Sequence, residues 1–243
     1  MVHTIESFSP GELYVLAGAA GITYLFGLPE REKLTLADPD CVTTATEKLK
    51  AKRFITEENG LTPAAFQLIE LLKAYQESNE YTRFNNLLIG FLPQDQDRVA
   101  VLTERKQNEE YEIDYIAKRD VYFSLLQRVP FLMREPREIE HTFLTNKMTE
   151  EKQRFFEEMD LSKKDVLAVE TFSRPRDWRL GDKGKWECFL YFTEGENFIQ
   201  IDIERKQYEW ASLYAVNKKL YDSLKMPYKK LIDPRQFSLG GMR

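Results

Sequence analysis

Residues 110–126, EYEIDYIAKRDVYFSLL, read as a β-strand that runs without a break into an α-helix. A second stretch of the same kind, NFIQIDIERKQYEWASLY, occupies residues 197–214. Ile113 and Ile201, Asp114 and Asp202, Lys118 and Lys206, Ser124 and Ser212, and Leu125 and Leu213 all stand 88 residues apart (113 to 201). Between 111–126 and 199–214 five of sixteen positions are identical, where ordinary composition gives about one by chance. The pair reads as a tandem duplication, which bears on architecture before it bears on function.

Working outward from the first copy, residues 81–92, 99–104 and 111–117 read as three strands separated by PQDQD and KQNEE turns, with a helix from about residue 120. In the second half the strands fall at 165–172, 186–193 and 198–204. The closing helix is read from Trp210, Leu213, Tyr214, Asn217, Leu220, Tyr221 and Leu224, a single apolar face that only Asn217 interrupts. Each half is then helix, three strands, helix, with repeats at about 61–129 and 148–216 and a polar connector around 134–140. A three-stranded unit leaves an edge unpaired, and joining two such edges removes it. The expected fold is a single α+β domain over residues 1–243: a central, mostly antiparallel sheet of two pseudo-twofold-related halves, flanked by helical bundles. Residues 1–60 form an N-terminal helical segment and 226–243 a tail.

Helix starts are marked chemically. In Ser9-Pro10-Gly11-Glu12 a serine oxygen caps free amides, proline sits where no amide is needed, and a glutamate follows three residues on. Asp38-Pro39 precedes the face Val42, Ala45 and Leu49, and Thr62-Pro63 precedes Phe66, Leu68, Ile69 and Leu72 in a helix ending near Ser78. Met148-Thr149 opens a helix with Phe155, Phe156 and Met159 as its apolar stripe. Ile199, Ile201 and Ile203 alternate with Gln200, Asp202 and Glu204, which predicts one wet face. On 186–193, Trp186, Cys188, Leu190 and Phe192 oppose Phe189 and Tyr191, so apolar surface there is covered by a helix or kept for a partner.

Of the 243 residues, 42% are hydrophobic and 31% charged, an ordinary folded composition, and a net charge of −5 argues against affinity for phosphate backbones. Cys41 and Cys188 lack metal-ligand spacing, two histidines cannot make a histidine-rich zinc site, and a reducing compartment fits. MVHTIE lacks the basic start of a secretion signal. The uncharged run 13–28 is interrupted by glycines and shorter than the about 20 residues that cross a bilayer, so a buried helix and turn, and a cytoplasmic protein without membrane insertion, are expected. Gly18, Gly21 and Gly27 miss both nucleotide-binding spacings, and no serine sits in a nucleophile elbow. His3 and His141 have no partner pattern, and Glu150, Glu151, Glu157 and Glu158 read as a solvated helix face. Cys188 reads as a small core residue. The sequence predicts no catalytic, cofactor or metal site, unless residues converge from distant loops.

Residues 40–72 resemble a winged-helix fragment, with FITEENG as a short hairpin between two helices. That gives an alternative: a transcriptional regulator with a C-terminal dimerisation or ligand-binding domain. Charge opposes it, because residues 1–78 hold eleven acidic and seven basic side chains, whereas phosphate contacts need clustered Lys and Arg.

SPGELYVLAGAAGI (9–22) and DPDCVTTATEKLKAKRFITEENGLTPAAFQLIELLKA (38–74), followed by strands, resemble the layout of the EspG family of type VII secretion chaperones. The resemblance covers most of the chain as element order and about the first 90 residues as pattern. It implies two related halves meeting in one sheet, and a cytosolic protein that keeps a helical secretion substrate soluble, with no cofactor and no reaction. The short turn at 106–110 departs from the longer loop usual in that family, which leaves the substrate open. Such a chaperone would cap an apolar helical tip over about 800 Å² per partner. The candidate contacts are Phe189, Tyr191, Trp210, Tyr214 and Trp178, the last a tryptophan among charges in SRPRDWRLGDKGK.

Overall fold

The computed structural model describes residues 6–140, 142–174 and 184–228. Four helices come first: α1 (Pro10–Gly18), α2 (Arg31–Ala37), α3 (Cys41–Ala51) and α4 (Pro63–Gln76). The start of α1 is built as its residues dictate. The Glu12 amide donates to Ser9 Oγ at 3.4 Å and the Ser9 amide to Glu12 Oε2 at 2.8 Å, a reciprocal capping box. Thr62 caps α4 through the Ala65 amide at 3.4 Å.

Four strands and a helix follow: β1 (Glu80–Phe84), β2 (Leu87–Phe91), β3 (Arg98–Lys106), β4 (Glu110–Ala117) and α5 (Lys118–Arg128). A connector contains 3-10 turns at Pro130–Leu132 and Glu138–Glu140. The second half is β5 (Asn146–Lys147), α6 (Glu150–Glu157), β6 (Leu167–Ser173), β7 (Lys185–Glu194), β8 (Asn197–Asp202), β9 (Gln207–Ala211) and α7 (Leu213–Ser223).

The nine strands of the described residues form one antiparallel sheet in the order β4-β3-β2-β1-β6-β7-β8-β9-β5. The two halves meet where β1 pairs with β6, in a register centred on Thr82 opposite Thr171. Antiparallel pairing is what a twofold through that seam generates, and it gives each inner edge a partner. Asn85 fastens the seam: its Oδ1 accepts from the Ala168 amide at 2.7 Å and its Nδ2 donates to the Val166 carbonyl at 3.1 Å.

Helices cover both faces. On the front, Leu13 and Leu16 of α1, Leu49 of α3 and Ile69, Leu72 and Tyr75 of α4 pack on Tyr81, Leu88, Ala100, Leu102 and Ile113. Register carries that face across the seam, since Tyr81 pairs with Phe172 and Phe172 with Trp186. Further along it, Phe156 of α6 packs on Phe192, Ile199 and Ile201. On the back, Val121 and Leu125 of α5 and Leu213, Val216 and Leu220 of α7 cover Phe84, Ile89, Val101, Val169, Tyr191 and Phe198.

Several sequence expectations change. Residues 81–92 are two strands, because Asn85 turns the chain at φ 50°, a left-handed conformation asparagine tolerates. Trp210 lies on β9 and not on the closing helix, which begins after Ser212, whose Oγ accepts from the Ala215 amide at 3.0 Å. Lys206, at φ 53°, makes the preceding hairpin turn. The first half therefore has four strands and the second the matching four plus the short β5 at the outer edge, and the 88-residue offset sets β4 against β8, one strand out of step. The helices that close the halves open at Lys118 and Leu213, a separation of 95 residues (118 to 213). The face of β8 expected to be wet is largely covered, with Phe198 and Asp202 both buried on it and Gln200 half-buried between them. Val42, Phe66 and Phe155 point outward, and α2 is a helix the sequence reading omitted.

Candidate partner-binding surface

The five residues selected from sequence do not form one patch. Trp178 lies outside the described residues. Tyr191 is 1% exposed and packs under α7, where burial raises its phenol far above the ordinary value. It offers no surface to a partner. Phe189 is half-buried on the same face, stacked 6.4 Å from Tyr191, with Lys219 Nζ 4.1 Å from its ring centroid.

Trp210 and Tyr214 are close in sequence and border a different region. Trp210 pairs with Ile199 across the sheet, meets Phe156 edge-on at 5.9 Å, and has Lys152 Nζ 5.0 Å from its ring. Tyr214, second residue of α7, stacks on Phe143 at 5.9 Å. The neighbouring chain is fixed by backbone chemistry. Ser212 Oγ donates to the Thr142 carbonyl, the Leu144 amide donates to Thr142 Oγ1 at 3.1 Å, and the Met148 amide to the Tyr208 carbonyl at 3.0 Å. This holds Phe143 and Leu144 outward, 63% and 73% exposed, and Leu144 lines a 420 Å³ cleft with Trp210, Lys152 and Glu140, Phe143 standing next to it in the chain. Sequence reasoning missed Phe143 and Leu144 because a two-residue apolar pair in a connector has no period to detect.

In the wall of that cleft sits a buried carboxylate. Glu140 receives Arg134 Nη1 at 2.8 Å and the Arg137 amide at 2.9 Å. Burial alone would raise its carboxyl, but the hydrogen bonds and charges of Arg134 and Arg137 together hold it below the ordinary value.

A second region lies at the end of the seam, where β1 begins and β6 ends. Phe26 packs 4.6 Å from Tyr81 and 5.1 Å from Phe172. Trp186 is 43% exposed beside them, its indole N–H donating to Glu170 Oε2 at 3.3 Å. A cleft of 890 Å³ and one of 420 Å³ adjoin here and share Phe172, Arg174 and Lys185 in their walls.

Among the described residues no group of three His, Cys, Asp or Glu side chains is placed to hold a metal. Burial, with the charges of Glu170 and Asp202, pushes the Cys188 thiol up to about 11, away from nucleophilic use. The winged-helix reading has a structural counterpart in the Ile55–Leu61 bridge. However, Ile69, Leu72 and Tyr75 of α4 are buried against the sheet, and its outward positions include Phe66, Gln67 and Glu70, not a basic stripe.

The described residues thus define an α+β protein built on one antiparallel sheet, with the exposed Trp186 in the wall of a cleft. The chain belongs to the family described as Domain of unknown function (DUF5081), whose model matches residues 2–232. It is also 29% identical over 134 residues to the type VII secretion system protein EsaE of Staphylococcus aureus, in strains USA300 and NCTC 8325. That stretch covers 55% of this chain and 56% of EsaE, so the chain spans about half the length of the curated relatives it matches. The relative so named is a type VII secretion system protein, and the EspG resemblance is not confirmed by it. No helix among the described residues is long and apolar enough to cross a membrane.

Proposed function

We propose that this protein is a non-enzymatic chaperone or adaptor of type VII secretion, acting in the cytoplasm on a helical secretion substrate, as the EspG resemblance implies. The observation that carries the reading is the 29% identity to a type VII secretion system protein. The surface supports it. Exposed Phe143 and Leu144, with Tyr214 and Trp210 at their side, give an apolar rim beside a cleft, the arrangement that receives an apolar helix face. Phe189 adds half-buried aromatic surface on the back of β7, and Trp178 belongs to the proposal on its sequence context alone.

The test is co-expression of tagged protein with any small helical secreted proteins that neighbouring genes encode. Recovery of one of them in a stoichiometric complex is expected. If none is recovered, and the candidates are equally soluble with and without this chain, the reading fails.

A further inference from the structure

The charges around the two clefts at the seam end are not all paired. Lys225 is paired with Glu80, Lys219 with Glu187 at 3.3 Å and Lys218 with Asp222 at 2.5 Å. Those contacts occupy the carboxylates that line the larger cleft. Arg174 is held differently. Its Nη2 donates to Tyr81 Oη at 2.9 Å and Gln76 Oε1 at 3.4 Å, both neutral acceptors, and its guanidinium lies 5.6 Å from the Tyr81 ring. Lys185 is exposed on the facing strand, its amide donating to Ser173 Oγ at 3.0 Å. Among the described residues neither cation has a carboxylate within 4.0 Å. Glu204, in the wall of the smaller cleft, is the one carboxylate there.

Two cations therefore face the cleft, one pre-oriented by Tyr81 and Gln76 with the rest of its planar fork turned to neither. A guanidinium so placed suits a carboxylate taken by two N–H groups. Beside it the half-buried Phe26 and Phe172, set at 70° to each other over the buried Tyr81, and the exposed Trp186 form an aromatic wall. Glu170 and Glu204 flank that wall and disfavour an extended polyanion such as nucleic acid.

We propose that this cleft binds an acidic, aromatic-bearing peptide segment of the secreted partner, with Arg174 and Lys185 taking a carboxylate and Trp186, Phe172 and Phe26 taking the neighbouring aromatic side chain. The identity of the partner rests on the chaperone reading; the peptide chemistry rests on the cleft alone. The two are separated by using two fluorescein-labelled 12-residue peptides, one of alternating Glu and Phe and one with Gln for every Glu.

Wild-type protein is expected to bind the Glu peptide at least tenfold more tightly than the Gln peptide. Lys185→Gln, at an exposed position, should lose several-fold, and Arg174→Gln with Lys185→Gln should remove the preference, with unchanged thermal melting verifying the fold of each. Equal binding of both peptides by wild type, or an undiminished preference in the Lys185→Gln and double variants, overturns the cleft assignment. Co-purification of a helical secreted protein equally by wild type and the double variant also overturns it, and leaves the chaperone reading intact.

Discussion

The Tyr122 hydroxyl donates to Asn217 Oδ1 at 3.1 Å, joining α5 to α7 across the back of the sheet. Each is the fifth residue of an eleven-residue helix that closes its half. A twofold through the Thr82–Thr171 pair brings equivalent helices together, and here equivalent positions touch. Asn217, the polar break in an otherwise apolar face, is thus explained by its partner. Tyr122→Phe and Asn217→Ala should each cost about 1 kcal/mol in denaturant unfolding, and a double-mutant cycle should return a coupling of about 0.5–1.5 kcal/mol. Additive losses would mean the contact contributes nothing.

Glycine matters where space and backbone both require it. Gly27 has φ +89°, and a Cβ there would fall 2.2 Å from Leu88 Cδ2. Gly18 ends α1 with nothing within 4 Å of an added Cβ. Gly27→Ala should destabilise by about 2 kcal/mol or more. Gly18→Ala should be neutral or stabilising by up to about 1 kcal/mol. Equal effects in thermal melts would contradict this local geometry.

The sequence was most legible where chemistry is local. Ser9 to Glu12 and Thr62-Pro63 mark true helix starts because a cap is settled by adjacent residues. Strand count was hidden by turns so short that neighbouring runs fuse: Asn85-Asn86 reads through as strand, and QYEWASLY reads as helix because Trp210, Leu213 and Tyr214 also fit its spacing. That hidden strand is why the 88-residue identities align non-equivalent elements although the sheet does have two halves. The candidate surface was less legible. Burial of Tyr191 under α7 and exposure of Phe143 depend on contacts between residues distant in sequence, which a periodicity does not carry.

Glu140 predicts a pH dependence. Its carboxyl is held below the ordinary value of 4.5, so the folded state releases that proton more readily than the unfolded chain. The stabilisation is present above about pH 4.5 and is lost as pH falls through the lower folded value. Glu140→Gln should cost about 2 kcal/mol at pH 7, less than a wholly buried pair because Arg134 and Arg137 remain partly hydrated. The difference in unfolding free energy between wild type and variant should shrink from pH 6 to pH 3. A constant difference would remove the charge from the explanation.

The two thiols should separate by accessibility. Cys188 is buried with its thiol pushed up to about 11, and Cys41 is half-exposed at the start of α3. Alkylation of folded protein at pH 8, followed by peptide mass analysis, should label Cys41 first and reach Cys188 only after denaturant is added. Fast labelling of Cys188 in the folded protein would show that the sheet opens there.

The proposed partner surface makes the sharpest distinction between packing and binding. Trp210 contributes to the α6 core through Phe156, so Trp210→Ala should lower stability and weaken capture of a helical secreted partner together. Phe143 touches Tyr214 and is otherwise mostly in water, so Phe143→Ser should leave the melting temperature within about 2 °C, consistent with a surface change of about 0.5 kcal/mol or less. If that rim receives an apolar helix, its loss should weaken binding at least tenfold, the loss of a contact worth about 1.4 kcal/mol. Isothermal titration of wild type, Phe143→Ser and Leu144→Ser with the recovered partner reads this directly. Unchanged affinity in both serine variants would move the contact away from this rim, whatever the effect of Trp210→Ala, because only the serine variants separate lost contact from lost fold.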